Sequence, residues 1–174
     1  CNVLDMSKKI MNRVFSACSE AGVIVPYSDT DSFVIPLEKR TEIIQRYEEK
    51  TGRVYSGINL GQFHSDFSIK GLPKHMTEDD IVSKEFWNIG KKLYIHMLEA
   101  VDKKTGKTHT GYKMSSKGYT KSGLIEYSKQ TFGIQDERLA LRELFKSASE
   151  GSSHNINLYP TRATRIGYNE NLTA

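Results

Sequence analysis

An acidic hexapeptide lies between two apolar segments in the first third of the chain, and it reads Tyr27-Ser28-Asp29-Thr30-Asp31-Ser32. Val23-Ile24-Val25-Pro26 precedes it and Phe33-Val34-Ile35 follows it. β-Branched and aromatic residues favour strands, whereas Asp and Ser favour turns, so the pattern predicts two strands joined by an acidic turn. Asp29 and Asp31 would then share one rigid hairpin, where carboxylate oxygens suit a divalent metal such as Mg²⁺. The alternative is an ordinary hairpin turn, in which Asp bonds its own backbone.

The composition of the 174-residue chain is that of a folded domain, or of two small ones, with 37% hydrophobic residues. No apolar run is long enough to span a membrane, and the first residues do not resemble a signal peptide. The two cysteines, Cys1 and Cys18, form neither a disulfide framework nor a metal-site pattern. We therefore expect an intracellular protein that is not secreted. Because the sequence begins with Cys rather than Met, we also expect it to be a piece of a longer protein.

The net charge of +4 permits nucleic-acid binding without establishing it. Lysines are concentrated in the middle of the chain, at positions Lys91, Lys92, Lys103, Lys104, Lys107, Lys113, Lys117 and Lys121. The five histidines show no spacing typical of metal ligands.

Hydrophobic periodicity predicts two helices in the first half, one from Leu4 to Ala21 before Gly22 and one from about Glu38 to Lys50 before Gly52. Short strands are expected at 54–58 and 62–69, and Thr77 begins a capped helical turn.

In the second half, strands are predicted at 91–101 and 108–115 with a turn at 103–106. Alternation places Lys92, Tyr94 and His96 on one face of the first strand, opposite an apolar face. Helices are expected at 122–130 and 136–148, the second with Leu139, Leu144, Phe145 and Ala148 inward, and a last strand at 155–159. The fold class is therefore α+β, with a change of character near residue 118.

The acidic hexapeptide closely resembles motif C of family B DNA polymerases, usually written Tyr-Gly-Asp-Thr-Asp-Ser, with Ser28 at the glycine position. The resemblance implies two-metal nucleotidyl transfer with Mg²⁺ or Mn²⁺. It implies that Asp31 ligates the metals and that Asp29 contributes less directly. Tyr27, Thr30 and Ser32 are the flanking positions of the motif.

Lys91-Lys92-Leu93-Tyr94 resembles the Lys-x-Tyr motif of the same family, which lies between palm and thumb and holds the primer strand. An ammonium group contacts phosphate and a phenol packs on sugar, and both contacts are independent of base sequence. His96 is added as a weaker candidate because it shares the predicted face. Lys and Tyr are common on solvent-exposed strands, so this motif alone does not indicate DNA binding.

Two weaker similarities follow the same order along the chain. Leu60-Gly61-Gln62-Phe63 resembles a Leu-Gly-x-Phe/Leu segment of protein-primed polymerases from phages, viruses and linear plasmids. The segment 113–118 resembles the lysine-bearing segment that follows Lys-x-Tyr in that group, which implies DNA contacts by Lys113 and Lys117. Arg162 and Arg165 either face DNA phosphates or are solvated surface charge.

Motif A, with the second metal-binding aspartate, and the motif B helix precede motif C in this family, and neither occurs in these residues. The resemblance therefore implies a carboxy-terminal part of a polymerase. We expect an incomplete palm in 1–118, with an antiparallel sheet and packed helices, and a small, mainly helical thumb in 119–174. The implied partners are primer-template DNA and dNTP, with a terminal protein primer left open. The isolated chain should be inactive.

Two alternatives remain open on the sequence. A non-catalytic nucleic-acid-binding module would use Lys92, Tyr94 and His96 to grip a strand, without a role for the aspartates. A structural or interaction domain would have an accidental similarity to motif C and no salt-dependent DNA binding.

Overall fold

The computed structural model of the chain describes residues 3–156 and has an α+β fold, as predicted. The described residues form two compact units. The first runs to Phe67 and adds Thr77–Val82, and the second contains Ser68–Met76 and resumes at Ser83. The predicted division between palm and thumb after residue 118 falls inside the second unit and stays a prediction. None of the helices described is long and apolar enough to cross a membrane.

Two helices build the core of the first unit. Helix α1 spans Val3–Glu20 and helix α2 spans Arg40–Thr51, close to the predicted bounds. Gly22 and Gly52 follow the helices with φ of 66° and 64°, a left-handed conformation that glycine adopts without steric cost. The apolar faces of both helices pack together around Val14, Ala17, Cys18, Ile43, Tyr47 and Tyr55. Burial raises the pKa of the Cys18 thiol, which fits the predicted role of a small buried hydrophobic residue.

The strands of the first unit are shorter than the sequence predicts. Strand β1 is Tyr27–Ser28 and strand β2 is Phe33–Val34, and they pair antiparallel on either side of the acidic turn. Val23–Pro26 is irregular chain rather than a strand, and its Val23 and Val25 side chains pack against the core of the two helices. The predicted strands at 54–58 and 62–69 are wrong. In their place is one isolated parallel bridge between Ser56 and Phe63.

A three-stranded sheet forms the base of the second unit. Its strands are β3 (Ile81–Gly90), β4 (Leu93–Val101) and β5 (Thr108–Ser116), in the order β3-β4-β5. Strands β4 and β5 pair antiparallel, with His96 opposite Lys113 and Tyr94 opposite Ser115. Only two residues connect β3 to β4, a length that permits antiparallel pairing alone. Strand β3 was not predicted, since Ile81-Val82 and Phe86-Trp87 interrupt strict alternation.

Helices α3 (Lys121–Phe132) and α4 (Glu137–Ser149) cover one face of this sheet, near the predicted positions. The Asp136 carboxylate accepts a hydrogen bond from the Leu139 N–H at 2.9 Å and caps α4. The core of this unit consists of Ile95, Met97, Leu124, Leu141, Leu144 and Phe145. Leu139 was predicted to point inward but is 41% exposed. Asn155 and Ile156 are not in a strand, and the rest of the last predicted strand lies outside the described residues.

The opposite face of the sheet is also covered, which corrects the prediction of an open polar face. Leu98 and Ala100 alternate with the core residues of β4, yet both are 1% exposed. Part of the cover is the 68–76 segment, because Ile69 lies against Gly111 of β5 and His75 bonds Asp102 at 3.0 Å. The segment was expected to be a short strand and loop, and a local pattern does not show that it folds back on a distant strand.

Candidate metal and nucleic-acid site

The acidic turn is closed by backbone hydrogen bonding. Tyr27 pairs with Val34 and Ser28 pairs with Phe33, and the Asp29 N–H donates to the Ser32 carbonyl at 2.8 Å. The four residues from Asp29 to Ser32 therefore form a tight loop at the end of a minimal hairpin. This arrangement places both aspartates at one tip, as the sequence predicts.

The two aspartates of the turn have different environments. The Asp29 carboxylate accepts from the Thr30 N–H at 2.9 Å and from the Thr30 hydroxyl at 3.3 Å, so part of its bonding capacity stabilises the turn. Asp29 is half-buried, whereas Asp31 is exposed. Of the flanking residues, Tyr27 is half-buried and Thr30 and Ser32 are exposed. Asp31 is thus the more accessible of the two carboxylates, and its role as a metal ligand stays a prediction.

Aromatic side chains hold the hairpin on the helices. The Phe33 ring of β2 meets Phe15 of α1 edge-to-face at 6.3 Å and Phe63 at 5.2 Å. Phe63 stacks on Tyr55 at 5.0 Å, and Tyr55 meets Tyr47 of α2 at 5.5 Å. Such pairs contribute about 0.5–1.5 kcal/mol each beyond area burial. The Leu-Gly-Gln-Phe segment therefore lies beside the acidic turn through Phe63, although Leu60 itself is fully exposed.

The two carboxylates of the turn offer oxygen donors of the kind that Mg²⁺ and Mn²⁺ prefer. Both ions prefer oxygen ligands, and Mg²⁺ is commonly held by one or two carboxylates with substrate phosphates. Within residues 3–156, no group of three or more His, Cys, Asp or Glu side chains is arranged to hold a metal ion. Asp29 and Asp31 are therefore two carboxylate donors without a third from the described part of the chain.

The Lys-Lys-Leu-Tyr segment forms a hairpin turn rather than the start of a strand. Lys91 and Lys92 are the two residues between β3 and β4, and Lys92 has a φ of 59°. Tight hairpin loops commonly place one residue in the left-handed region, and here that residue is Lys92, an uncommon conformation for a lysine. Lys92 is consequently not on the sheet face with Tyr94, and the predicted alternation applies only from Leu93 onward.

The Lys92 turn brings Lys117 to the same end of the sheet. The Lys92 carbonyl accepts from the Lys117 N–H and from the Ser115 hydroxyl, each at 3.0 Å. Lys91 and Lys117 are exposed, and Lys92 is half-buried. Three lysines, which the sequence placed in two separate motifs, are therefore gathered where β4 begins and β5 ends. Lys113 lies further along β5, opposite His96.

His96 is enclosed in a ring cluster rather than displayed on an open face. It is 3% exposed, stacks on Phe86 of β3 at 4.5 Å and meets Tyr94 at 5.4 Å. Its Nδ1 lies 2.9 Å from the Ser83 oxygen. Burial, assisted by the charge of Lys113, lowers the pKa of His96 to about 4. The expectation that His96 offers a surface contact to DNA is therefore not supported, while Tyr94 remains half-buried.

Phe86 and Ser83 were missed as part of this site because β3 itself was missed. The usable signal was the aromatic pair Phe86-Trp87 shortly before Lys91-Lys92, since a two-residue hairpin loop requires a strand on both sides. Arg162 and Arg165 lie outside the described residues.

The acidic turn belongs to the first unit, and the lysine cluster with Tyr94 belongs to the second. Comparisons with protein-family models, with curated proteins and with solved structures find no match to this chain.

Proposed function

We propose that this chain is the carboxy-terminal palm-and-thumb part of a family B DNA polymerase. The observation that carries the proposal is the acidic turn, in which the Tyr-Ser-Asp-Thr-Asp-Ser hexapeptide forms a hairpin tip with both carboxylates together. The hairpin is anchored within the first unit by Phe33, whose ring meets Phe15 of α1 and Phe63 edge-to-face. In the complete enzyme, the reaction adds a deoxynucleoside monophosphate from a dNTP to a primer 3′ end.

In this proposal, Asp31 and Asp29 hold Mg²⁺ or Mn²⁺ together with a carboxylate from motif A, which is not among these 174 residues. Two such ions would stabilise the attacking and leaving oxygens of an in-line displacement. Asp29 also keeps the turn closed through its bonds to Thr30, so its loss should affect geometry as well as charge.

The lysine cluster is proposed to hold the primer-template DNA. Lys91, Lys92 and Lys117 present ammonium groups at one end of the sheet, and Tyr94 begins the strand that leaves it. Phosphate contacts of this kind position a duplex without reading its sequence, as replication requires. Lys113, beside the ring cluster, is a further candidate within the same proposal.

The first test is primer extension by the protein expressed from the longest open frame that contains this sequence. Asp31→Asn should lower the extension rate at least about 1000-fold, because a lost metal ligand removes several kcal/mol of transition-state stabilisation. Asp79→Asn, which neutralises an exposed carboxylate of the same unit, should leave the rate within about twofold. The 174-residue chain alone should show no extension. Extension by that chain, abolished by Asp31→Asn, would refute the proposal.

The second test measures binding of the chain to labelled primer-template DNA. Lys91→Gln with Lys92→Gln should weaken binding about 10-fold and reduce the salt slope by about 2. The matched control is Lys103→Gln with Lys104→Gln, which removes two exposed lysines from the turn at the other end of β4. Equal losses in both variants would show that net charge, rather than the Lys92 turn, determines binding.

The gathering of Lys117 with Lys92 also favours a second candidate, a non-catalytic nucleic-acid-binding module. Such a module would bind DNA with the same lysine dependence. It would keep its biological role when Asp29→Asn and Asp31→Asn are combined, whereas a polymerase would lose it.

A further inference from the structure

The exposed face of α1 carries a row of basic side chains that the proposed site does not use. Lys8, Lys9 and Arg13 lie along it at helical spacing, with Asn12 and Ser16 between and after them. Lys50 of α2 forms the opposite wall, so the residues line an open groove within the first unit. Asp5 contributes one carboxylate at the amino-terminal end of the groove.

The cations of this row are available for a ligand. In the described part of the chain, no carboxylate is within ion-pair distance of Lys8, Lys9 or Arg13 of α1, whereas the basic side chains of α2, Arg40, Arg46 and Lys50, are each paired with a carboxylate. Lys50 bonds the Glu20 carboxylate and also donates to the Ser16 hydroxyl at 2.9 Å, and this orders the wall of the groove. The groove thus combines the Lys50 ammonium, which is paired with Glu20, with three cations of α1 that form no ion pair within the described residues and with the single carboxylate of Asp5.

The lining of the groove distinguishes between classes of ligand. Its volume of about 390 Å³ is within the range of small-molecule pockets, but those pockets are lined mainly by apolar side chains. Protein interfaces are enriched in aromatic residues and depleted in Lys, whereas three of the seven lining residues here are Lys and none is aromatic. Arg, Lys, Asn and Ser are the side chains that contact nucleic-acid phosphates.

The length of the row also matches a nucleic-acid strand. From Lys8 to Ser16 the helix rises roughly 12 Å, at about 1.5 Å per residue. Phosphates of one strand recur about every 3.4 Å along a duplex axis, so the row is long enough to contact more than one of them. A single free phosphate would contact only one end of this row, so its length favours a nucleic-acid strand as the ligand.

We propose that this groove binds the sugar-phosphate backbone of DNA as a second contact surface. The inference goes beyond the proposed function, because it involves neither the aspartates nor the Lys92 turn. It therefore holds for a polymerase and for a non-catalytic binding module alike.

The test uses the full chain and a labelled DNA duplex at increasing salt concentration. Lys8→Gln, Lys9→Gln and Arg13→Gln are combined, since Gln preserves helix propensity. Affinity should fall about 10- to 100-fold and the salt slope should decrease by about 2 to 3. The control removes the same charge from the β4–β5 turn, as Lys103→Gln, Lys104→Gln and Lys107→Gln, and should lower affinity less than threefold. Equal effects in the two triple variants would overturn the proposal.

A second measurement, chemical footprinting of lysines, uses the unsubstituted chain and therefore does not depend on whether the variants fold. Acetylation of lysines is compared with and without DNA, and Lys8 and Lys9 should be protected at least threefold while Lys103 and Lys104 are not. Polyglutamate at matched charge should displace DNA from the chain less effectively than unlabelled DNA does. Unprotected Lys8 and Lys9, or displacement of DNA by polyglutamate as effective as by unlabelled DNA, would overturn the proposal. If the Lys91→Gln, Lys92→Gln variant loses affinity for DNA and the α1 triple variant does not, the proposed role of the Lys92 turn stands and only the second contact surface is refuted.

Discussion

The imidazole of His96 is a neutral, structural group in this protein. The Ser83 hydroxyl donates to the Glu85 carbonyl at 3.0 Å, so its oxygen is left to accept from the Nδ1–H of His96 at 2.9 Å. The stacked Phe86 ring shields the imidazole from water. Lys113 lies opposite His96 on β5, and its positive charge disfavours protonation of the imidazole. Protonation of His96 would therefore place a second cation in a dry environment.

This environment predicts a loss of stability in mild acid. The pKa of His96 falls from 6.5 to about 4 on folding, so below pH 6.5 the unfolded chain binds a proton that the native protein does not. The free energy of unfolding should therefore decrease as the pH falls, by about 2 kcal/mol between pH 7 and pH 5. Urea titrations at the two pH values measure this difference.

Two variants separate His96 from the other titrating groups. His96→Gln should remove most of the pH dependence, and His64→Gln, at an exposed position, should retain it. A wild-type stability that is flat between pH 7 and pH 5 would contradict the prediction.

At the scale of elements, a bidentate ion pair joins β3 to α4. Arg142 donates from Nε and Nη2 to the two carboxylate oxygens of Glu85 at 2.7 and 2.9 Å. Trp87 donates to the same carboxylate at 2.9 Å. Arg142 first, and then Trp87, lower the pKa of Glu85 below its usual range. This pair fixes β3, the strand that supplies Phe86 and Ser83, against the helical layer.

A double-mutant cycle measures the contribution of this pair. Glu85→Gln and Arg142→Gln should each lower the free energy of unfolding by about 1–2 kcal/mol, with a coupling of about 1 kcal/mol. The matched control is the Glu42–Arg46 pair on α2, in which only one carboxylate oxygen of Glu42 is used and both side chains are more exposed, and its coupling should be clearly smaller. Equal coupling in the two cycles would show that the bidentate geometry adds nothing.

At the scale of the whole molecule, the chain passes from one unit to the other three times, after Phe67, after Met76 and after Val82. The second unit therefore depends on a segment that is distant in sequence from β5, the strand that it contacts. Ile69 of this segment is 8% exposed and lies against Gly111, where an added Cβ would come within 3.1 Å of the Ile69 side chain. Gly111 thus makes room for Ile69 on β5.

This arrangement predicts a large effect for a substitution outside the sheet. Ile69→Ala should lower the free energy of unfolding by about 2–4 kcal/mol and increase hydrogen exchange in β5. Ile58→Ala, the same change at a side chain that is 97% exposed, should stay within about 0.5 kcal/mol. If exchange in β5 is unchanged in Ile69→Ala, the segment does not stabilise the sheet as described.

Much of the secondary structure could be predicted from the sequence. Helices α1, α2, α3 and α4 have periodic apolar faces and local end signals, and the β4–β5 hairpin has alternation with a turn between its strands. The acidic turn was predictable for the same reason, since a six-residue motif folds through bonds within itself. The short strands of the first unit were overestimated, because β-branched residues there pack on helices instead of pairing.

The sequence by itself determined the helices, the β4–β5 hairpin and the place of Asp29 and Asp31 at one turn, because these features depend on neighbours a few residues away. Tertiary structure alone decided that His96 is enclosed by Phe86 and that Lys117 meets the Lys92 turn. Tertiary contacts also decided that 68–76 covers the second face of the sheet. The contacts of Lys117 and of the 68–76 segment join residues far apart in the chain, and the enclosure of His96 requires β3, which strict alternation does not reveal. Burial and register there follow from packing, which local propensity does not encode.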